Sequence, residues 1–400
     1  MIILVFNAGS SSQKSCLYNL GASIPDTPLK PLWEAHLDWT VAQEFGLLTV
    51  KSNGIKRKIE VREKATALKV VLDTLVIGET QLLANLQEID LVGHRVVHGG
   101  TKYSQAVVID KDVKKAIADF IPLAPNHNPA HLEGINTIEK ILPDVTQVAV
   151  FDTAFHTTIP QAAKVYPLPY KYFTQGIQRY GFHGISHQYC ANRTAQILQH
   201  PLESLKIITC HLGNGCSLAA IKDGGCIDTT MGFSPLEGLM MGTRCGSIDP
   251  QIPLYLMQEY ALDVAQVSHL LNQESGLKGV SGISADLRNI LAAINDGNAQ
   301  AQLAFDIYLH RLKSSIGAMV ASLNGLDALV FTAGVGENSA IIREKTCEGL
   351  TYLGLQLDSA KNKVNPVDEN IATDDSNAAV LVIQTQEDWA IAVATASLQD

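Results

Sequence analysis

The sequence predicts an α/β protein with two related domains. Short β-branched runs alternate with longer segments whose apolar residues recur at helical spacing, which is typical of layered α/β folds. The chain has 400 residues, 46% of them apolar, and this is more than one hydrophobic core usually accommodates. Two similar glycine- and serine-rich hairpins, near residues 9 and 213, indicate that one domain duplicates the other.

The predicted elements follow one another along the chain in that alternating order. β-Branched and aromatic runs predict strands at residues 2–6, 91–97, 147–151, 207–211, 328–332 and 379–384. Apolar residues three and four positions apart predict helices at residues 130–142, 186–198 and 299–323. The last of these is long enough to be a major packing helix.

Three segments run from a predicted strand into a loop of small residues, at positions 6–12, 211–215 and 332–338. Such loops let backbone N–H groups close around an anion. A second apolar run follows the first two loops directly, so each of these is predicted to be a hairpin tip. They therefore differ from a P-loop, whose G-x-x-x-x-G-K-[ST] pattern is missing from the sequence. An ordinary tight hairpin explains any one loop, but three together predict phosphate binding.

The composition argues against several classes of protein. The formal net charge is −10 and no Lys/Arg cluster stands out, so nucleic acid is not an expected partner and an anionic substrate would need a few placed cations. The seven cysteines are scattered and never spaced C-x-x-C, which predicts reduced thiols and a cytoplasmic location. The N-terminus has no signal-peptide pattern, and no run approaches the roughly 20 apolar residues of a membrane span.

Two charged residues stand at the ends of predicted strands. Arg95 lies among apolar neighbours in GHRVVHGG, where its guanidinium could clamp a carboxylate or phosphate, or equally form a structural salt bridge. Asp152 directly follows the apolar run 148–151, and a carboxylate at the end of a buried strand is usually a ligand or a cap.

The segment 180–187 holds two histidines four residues apart, which raises the question of zinc. Zinc is disfavoured because Gly184 argues against one helix carrying both rings, and because no glutamate follows His183 in the H-E-x-x-H manner. We expect His183 to donate a hydrogen bond to a transferring phosphoryl group and His187 to be structural.

Arg244 is the only cation in the glycine- and methionine-rich stretch 228–250, which suggests a place beside a desolvated anion. The clusters 284–288 and 385–388 are weaker signals, since helix N-capping explains both.

Taken together, these motifs resemble the acetate kinase family, within the larger class of acetate and sugar kinases. The resemblance runs nearly from end to end, through FNAGSSSQKS, GHRVVHGG, LAPNHNPAH, FDTAFHTTIP, RYGFHGISH, HLGNGCS, DTTMGFSPLEGLMMGTRCGSIDP, SGISADLR, FTAGVGENS and TQEDWAIA. It implies two duplicated actin-like (ribonuclease H-like) domains with the active site in an interdomain cleft. Residues 1–151, completed by a helix at 388–400, would form the first domain, and residues 152–387 the nucleotide-binding second one. It also implies a homodimer.

The resemblance further implies which residues act, with acetate and ATP as substrates and Mg²⁺, or alternatively Mn²⁺, as the metal. Catalysis would involve Arg95, Asp152, His183 and Arg244. The acyl substrate would contact Arg95, Val97, Asn126, His127, Phe182 and Pro235. ATP would contact Ser10, Ser12, Lys14, His211, Leu212, Gly213, Asn214, Gly215, Asp286, Leu287, Arg288, Gly334, Val335, Gly336, Glu337 and Asn338. The metal would be held by Asn7 and Glu387.

The sequence departs from the family pattern at three places. Asn126 stands where leucine is common, Ser247 replaces an aspartate after the Arg244 loop, and Gln386 replaces an asparagine beside Glu387. The first change concerns the acyl pocket, and the second bears on how firmly Arg244 is positioned.

Acetate would ionise much like a glutamate side chain, with a pKa of roughly 4.3, so at neutral pH a general base has little to do. This favours Asp152 as an organiser of Mg²⁺, water or an arginine rather than a base. Two alternatives remain, a propionate or butyrate kinase and a non-enzymatic actin-like nucleotide-binding module. The second would not need Arg95, Asp152, His183 and Arg244 together.

Overall fold

The computed structural model describes residues 1–9, 12–21, 24–42, 44–125, 127–364 and 366–399. The chain divides into two compact units. Unit 1 comprises Met1–Ala154 together with Gln386–Asp400, and unit 2 comprises Phe155–Thr385.

Unit 1 is built on an eight-stranded mixed sheet. Its strands are β1 (Ile2–Ala8), β2 (Ser12–Asn19), β3 (Trp33–Asp38), β4 (Gly46–Ser52), β5 (Ile55–Val61), β6 (Leu91–Val96), β7 (Val107–Val108) and β8 (Thr146–Phe151). Its helices are α1 (Lys64–Val76), α2 (Lys111–Asp119), α3 (Asn128–Ile141) and the C-terminal helix, which is α15 (Glu387–Ala396). The strand order is β5-β4-β3-β2-β1-β6-β8-β7.

Unit 2 is built on a six-stranded mixed sheet. Its strands are β9 (Ile207–Leu212), β10 (Cys216–Lys222), β11 (Gly225–Thr229), β12 (Ala328–Thr332), β13 (Glu369–Asn370) and β14 (Ala379–Val382). Its helices are α4 (Gln161–Lys164), α5 (Lys171–Thr174), α6 (Gly184–Leu198), α7 (Gln251–Glu259), α8 (Val264–Gln273), α9 (Gly276–Ser281), α10 (Leu287–Asn295), α11 (Ala299–Leu323), α12 (Ala333–Asn338), α13 (Ala340–Glu348) and α14 (Ser359–Lys363). The strand order is β11-β10-β9-β12-β14-β13.

The two sheets share one central topology. In unit 1 the order β3-β2-β1-β6-β8 joins three antiparallel strands to two that run parallel to β1. In unit 2 the order β11-β10-β9-β12-β14 repeats this arrangement around β9. A short antiparallel strand ends each sheet on the parallel side, β7 in one and β13 in the other. The predicted α/β class with two domains is confirmed, and the matching strand order supports duplication.

The central strands of unit 2 are buried along their whole length because helices cover both faces of the sheet. Every residue of β9 and β12 is buried, as expected for parallel strands between two helical layers. Cys190 and Ala191 of α6 pack in the core cluster that contains Ile207 and Ala219. On the other face, Cys216 Sγ lies 3.7 Å from the Tyr308 hydroxyl of α11.

The predicted strands and helices are all found, with small shifts of their ends. The strand predicted at 379–384 ends at Val382, and the helix predicted at 130–142 begins at Asn128. The long helix at 299–323 has the predicted bounds. The strands that flank the first two small-residue loops pair antiparallel, β1 with β2 and β9 with β10, as predicted for hairpins.

The prediction of a loop at 332–338 is wrong, because the helix α12 begins immediately after β12. Ala333 takes a left-handed φ of 64°, which turns the chain sharply enough for a helix to follow without a linker. The Glu337 carboxylate accepts a hydrogen bond from the Ala333 N–H at 2.9 Å and holds this first turn.

No helix in the described part of the chain is long and apolar enough to cross a membrane. All seven cysteines lie within the described ranges and are free thiols, six of them buried.

The C-terminal helix returns to unit 1 and packs on β1, β6 and β8. This packing depends on close approach at Gly93 of β6, since a Cβ there would overlap Thr395 Oγ1 and lie 2.9 Å from Ile391 Cγ2. The position of Glu387 and Asp388, at the start of α15, therefore depends on a glycine in the middle of a strand.

We expect Gly93→Ala to destabilise unit 1 by about 1–3 kcal/mol, because an added methyl overpacks a filled interface. The three tryptophans, Trp33, Trp39 and Trp389, all lie in unit 1, so the urea midpoint of tryptophan fluorescence reports this unit specifically. Adding Thr395→Ala removes the overlapping hydroxyl and should recover part of the loss. An unchanged midpoint in the single variant would contradict this account of the helix packing.

Candidate active site

Four elements of unit 1 bring polar side chains to one end of its sheet. Asn7 lies near the end of β1, paired with Lys14 across the first hairpin. Arg95 lies on the neighbouring parallel strand β6, and Asp152 follows β8 directly. Because the carboxyl ends of parallel strands meet at one edge, residues far apart in sequence become neighbours here. Glu387 joins them from the first turn of α15.

Arg95 and Asp152 form a buried ion pair. Arg95 Nε donates to both Asp152 oxygens at 3.1 Å, and Nη2 lies 2.6 Å from Oδ2. The side chains are only 16% and 3% exposed. Burial raises the pKa of the Asp152 carboxyl, an effect that the Arg95 guanidinium opposes. Burial lowers the pKa of Arg95, but the carboxylates of Asp152, Glu387 and Asp388 outweigh this and raise it above the usual value.

The side-chain amide of Asn7 connects this ion pair to the helix α15. Its Oδ1 accepts from Arg95 Nη1 at 3.1 Å, while its Nδ2 donates to Glu387 Oε2 at 3.2 Å and to Asp388 Oδ1 at 3.0 Å. With a cation on one side and carboxylates on the other, only one orientation of the amide satisfies every partner.

Asn7, Lys14, Arg95, Asp152, Glu387 and Asp388 form one polar cluster, the unit 1 cluster. The sequence pattern does not single out Asp388 among them. Its Oδ2 lies 2.5 Å from Lys14 Nζ and 3.7 Å from Cys16 Sγ. The N-capping explanation is wrong for residues 385–388, because the Gln386 side chain makes no capping hydrogen bond to α15. The signal available in the sequence was the second acid next to Glu387, in a segment of otherwise apolar helix.

The unit 1 cluster suits a magnesium ion by its chemistry and its charge. Its ionic groups are the three carboxylates of Asp152, Glu387 and Asp388 and the two cations of Arg95 and Lys14, a surplus of one negative charge. Mg²⁺ prefers oxygen ligands and usually binds through one or two carboxylates, several waters and substrate phosphates. No group of three or more His, Cys, Asp or Glu side chains in the described ranges could hold a metal by itself.

In unit 2, His183 stands at the start of α6 in an unusual conformation. It is the N-cap residue, with φ 58° and ψ 23°, in the left-handed region that non-glycine residues rarely occupy. Its Nδ1 lies 2.8 Å from Ser217 Oγ of β10, and its ring stacks on that of His211 at 4.1 Å between centroids. The predicted helix 186–198 begins at Gly184, so His187 lies on the helix and His183 precedes it.

Arg244 is held by neutral groups. Its Nη1 donates to the Pro235 carbonyl at 2.9 Å and lies 3.6 Å from Met241 Sδ. Burial lowers its pKa, and no carboxylate of the described residues acts to raise it. A guanidinium largely removed from water without a counter-ion is costly, which makes Arg244 a candidate for binding an external anion.

Gly215 at the second hairpin tip marks the space between Arg244 and His183. A Cβ built on Gly215 would lie 3.4 Å from Arg244 Nη1 and 3.6 Å from His183 Nε2. The guanidinium and the imidazole therefore border one small volume that the missing side chain leaves open.

The loop that carries Arg244 is held by several hydrogen bonds. Arg179 Nη1 donates to the carbonyls of residues 229–231 at 2.9–3.2 Å, and its Nη2 pairs with Glu237 at 2.9 Å. Ser247 closes the loop, since its Oγ accepts from the Gly238 N–H at 3.0 Å and its own N–H donates to the Gly238 carbonyl. The replacement of aspartate by Ser247 thus still leaves a side-chain acceptor at this point.

The predicted nucleotide segments of unit 2 meet around the second hairpin tip. The Gly213 Cβ position lies 3.9 Å from Ala333 of the third segment, and the Gly242 N–H donates to the Asn214 carbonyl at 3.1 Å. The Gly242 Cβ position also touches Asn214 and lies 3.2 Å from Ala285, next to Asp286. His211 is buried at the end of β9, and Leu212 is fully buried, so only its backbone can face a ligand.

Several side chains of these nucleotide segments form hydrogen bonds with nearby backbone groups. The Asp286 side chain caps α10 and also pairs with exposed Arg288, which confirms the N-capping explanation there; Leu287 is buried. Glu337 accepts from the Ala333 and Thr385 N–H groups, and Asn338 donates to the Gly334 carbonyl. Val335 and Gly336 lie between them in α12.

The remaining predicted positions are divided between the units. In unit 1, Ser12 accepts from the Gly9 N–H through its carbonyl at 2.7 Å, Val97 is buried, and His127 is the N-cap residue of α3. In unit 2, Phe182 is buried. Ser10 and Asn126 lie outside the described residues.

Comparison with known proteins gives a consistent result over the whole chain. Residues 2–393 match the family model described as the acetokinase family. The acetate kinase of Rippkaea orientalis is 62% identical over 395 residues, which covers 98% of each chain. Among solved structures, an acetate kinase from Porphyromonas gingivalis is 40% identical with a TM-score of 0.91 over 100% of both chains. A propionate kinase from Francisella tularensis subsp. tularensis is 38% identical with a TM-score of 0.90 over 99% of both.

A family match over nearly the whole chain and a relative at 62% identity leave one conclusion, which the strand order and the polar clusters support: this chain belongs to the acetokinase family.

Proposed function

We propose that the chain catalyses the reversible transfer of the γ-phosphoryl group of ATP to acetate, giving acetyl phosphate and ADP by direct in-line transfer. The observation that carries this proposal is Arg244, a half-buried guanidinium without a carboxylate partner among the described residues, next to His183 and a glycine-rich hairpin. Such an arrangement suits a phosphoryl group, whose equatorial oxygens gain negative charge in transfer.

The chemistry of the nucleophile explains why cations matter more than a base. Acetate, with a pKa of roughly 4.3 like a glutamate side chain, is already ionised at neutral pH. Its approach to a polyanionic phosphate is therefore opposed by charge. In the proposal, Lys14 neutralises nucleotide phosphates, Arg95 binds the acetate carboxylate, and His183 with Arg244 stabilises the transferring group.

Asp152 acts in this proposal as an organiser. Both of its oxygens accept hydrogen bonds from Arg95, so neither is free to remove a proton without breaking the ion pair. By holding Nε and Nη2, Asp152 leaves Nη1 of Arg95 on the side of Asn7. The pair thus sets the direction in which the guanidinium can meet a substrate.

Asn7 and Glu387 are the residues we propose to hold Mg²⁺, directly or through water, with Mn²⁺ as an alternative. When bound, the ion would neutralise phosphate charge and help to align the nucleotide. The surplus negative charge of the unit 1 cluster supports this assignment.

The ATP contacts are assigned to the converging segments of unit 2 around His211–Gly215, Asp286–Arg288 and Gly334–Asn338. We also propose a homodimer, on the family resemblance alone, and a reducing compartment such as the cytoplasm, in keeping with seven free thiols.

Trapping the product with hydroxylamine tests the proposed reaction. The purified chain is supplied with ATP, Mg²⁺ and, in separate reactions, acetate, propionate or butyrate, and acyl hydroxamate is measured. Hydroxamate from acetate supports the proposal. A larger yield from a longer acid would favour a propionate or butyrate kinase, and no hydroxamate from any acid would favour a non-catalytic nucleotide-binding module.

Arg244→Ala should lower kcat by about 10³ or more while ATP still binds, because the lost charge is needed mostly in the transition state. The measurements are steady-state kinetics and ATP binding by calorimetry. Arg311→Ala, on the exposed side of α11, is the matched control and should leave both unchanged. A loss of less than tenfold in the Arg244 variant would exclude this arginine from the mechanism.

Gly215→Ala tests the space between Arg244 and His183. The added methyl fits without backbone strain but fills the volume that the two side chains border, so kcat should fall about 100-fold through misplacement of the phosphoryl group. Circular dichroism and the melting temperature should stay unchanged. Gly317→Ala in α11, which meets only the end of the Tyr352 side chain at 3.6 Å, is the control. Full activity in the Gly215 variant would place the reaction elsewhere.

Val97→Ala tests the acyl preference. Val97 is 4% exposed next to the strand of Arg95, and a β-branched residue leaves little depth for a longer acid. We expect the unaltered chain to use propionate roughly 10–200-fold less well than acetate in kcat/KM, since one methylene shifts binding only modestly. The variant should narrow this ratio and leave the KM for ATP unchanged. Equal use of butyrate and acetate by the unaltered chain would contradict the pocket assignment.

A further inference from the structure

A chain of buried hydrogen bonds lies behind His183 in unit 2. Ser217 Oγ is 2.8 Å from His183 Nδ1 and 2.7 Å from His187 Nε2. The other ring nitrogen of His187, Nδ1, is 2.7 Å from Thr209 Oγ1. Thr209, His187 and Ser217 are all completely buried. The order along the chain is therefore Thr209, His187, Ser217 and His183.

The direction of this chain follows from counting protons. A serine hydroxyl has one proton, so Ser217 donates to one of its two histidines and accepts from the other. Among the described residues, the Thr209 hydroxyl hydrogen-bonds only to His187, and its proton therefore has no acceptor other than Nδ1. Once Thr209 donates to Nδ1, His187 carries its proton on Nε2 and donates to Ser217. Ser217 must then donate to His183 Nδ1.

The reverse direction is unfavourable. His187 would donate to Thr209, and the Thr209 proton would be left buried without an acceptor, a situation that folded proteins rarely tolerate. Burial also lowers the pKa of His187 well below its usual value, which favours the neutral ring with a single proton. Even a charged His187 would donate on both sides and still turn the Ser217 proton towards His183.

We propose that Thr209, His187 and Ser217 are positioning residues that hold neutral His183 in the tautomer with its proton on Nε2. That nitrogen is the one 3.6 Å from the Gly215 Cβ position, on the side of Arg244. A proton there makes the ring a hydrogen-bond donor to a phosphoryl oxygen, whereas a bare nitrogen would repel that oxygen. The consequence for catalysis rests on the proposed function, but the tautomer does not.

His187 is then more than a structural residue, because it helps to set which nitrogen of His183 carries the proton. The assignment also explains why Ser217, a small polar residue, occupies a fully buried position of β10. Both residues act through His183 and do not themselves touch a substrate in this scheme.

Nitrogen NMR of the intact protein tests the tautomer directly. Long-range ¹H–¹⁵N correlations of histidine rings distinguish a proton on Nδ1 from one on Nε2, and the His183 signals are assigned as those missing from His183→Asn. We expect a proton on Nε2 at neutral pH. A proton on Nδ1, or an even mixture of both tautomers, would overturn the proposal.

Thr209→Val removes the proton that sets the direction of the chain and keeps the shape of the side chain. The Nδ1-protonated form of His183 should then become populated, and kcat should fall by about 10–100-fold, the range found for partners that fix the tautomer of metal-binding histidines. The KM for ATP should not change. Thr194→Val is the matched control, because its buried hydroxyl donates to the Cys190 carbonyl and belongs to no histidine chain.

The double variant Thr209→Val/Ser217→Ala tests whether Thr209 acts on His183 through Ser217 or whether each residue affects kcat independently. If the chain transmits the effect, Thr209→Val adds nothing further once Ser217 is missing. Additive losses would overturn this action through Ser217. If the wild-type chain forms no acetyl phosphate yet shows His183 protonated on Nε2, the proposed function fails and the tautomer assignment stands.

Discussion

The ion pair between Arg95 and Asp152 is the interaction on which the polar end of unit 1 depends. Either charge alone would be unstable at such burial, so each requires the other, and their union joins β6 to the residue that follows β8. With Arg95 directed in this way, the Asn7 amide has one orientation. That orientation in turn presents its N–H groups to Glu387 and Asp388. Four elements are thus ordered by one buried pair.

In unit 2 the half-buried Arg244 has no such carboxylate partner among the described residues. Arg244 is held by a carbonyl and a thioether, and burial lowers its pKa without a described carboxylate to offset the effect. Hydrogen bonds hold the loop that carries Arg244, since Arg179 donates to three successive carbonyls and Ser247 Oγ accepts from the Gly238 N–H. In the proposed reaction such a guanidinium suits an anionic phosphoryl group, because part of its desolvation cost is already met in the folded chain.

The hydrogen-bonded chain behind His183 is also constrained by burial, but its members are uncharged groups. Buried hydroxyl and imidazole groups must satisfy one another, and when each has few partners the positions of the protons are no longer free. The left-handed backbone of His183 at the start of α6 adds a second constraint, since it holds the ring between Ser217 and the stacked ring of His211. The Ser217 hydroxyl on one side and the His211 ring on the other thus fix the orientation of the His183 ring.

The sequence by itself determined the α/β class, the bounds of six strands and three helices to within two residues, and the residues most suited to chemistry. These are local properties, because apolar periodicity, glycine-rich turns and an isolated cation such as Arg244 can each be recognised within a few neighbouring residues. The helical turn at Ala333 was not recognisable, since a left-handed alanine and a capping Glu337 depend on surroundings beyond the segment.

Tertiary structure alone decided which of these residues meet. Arg95 could be a substrate clamp or one half of a salt bridge, and only the adjacency of β6 and β8 brings Asp152 to it from 57 positions away. Asp388 gives only a weak sequence signal and Ser217 none, and their contacts come from the docking of α15 on Gly93 and from the packing of α6 on β9 and β10. The physical reason is that pairing of charges and direction of proton donation depend on distances across the core, and spacing along the chain does not specify those distances.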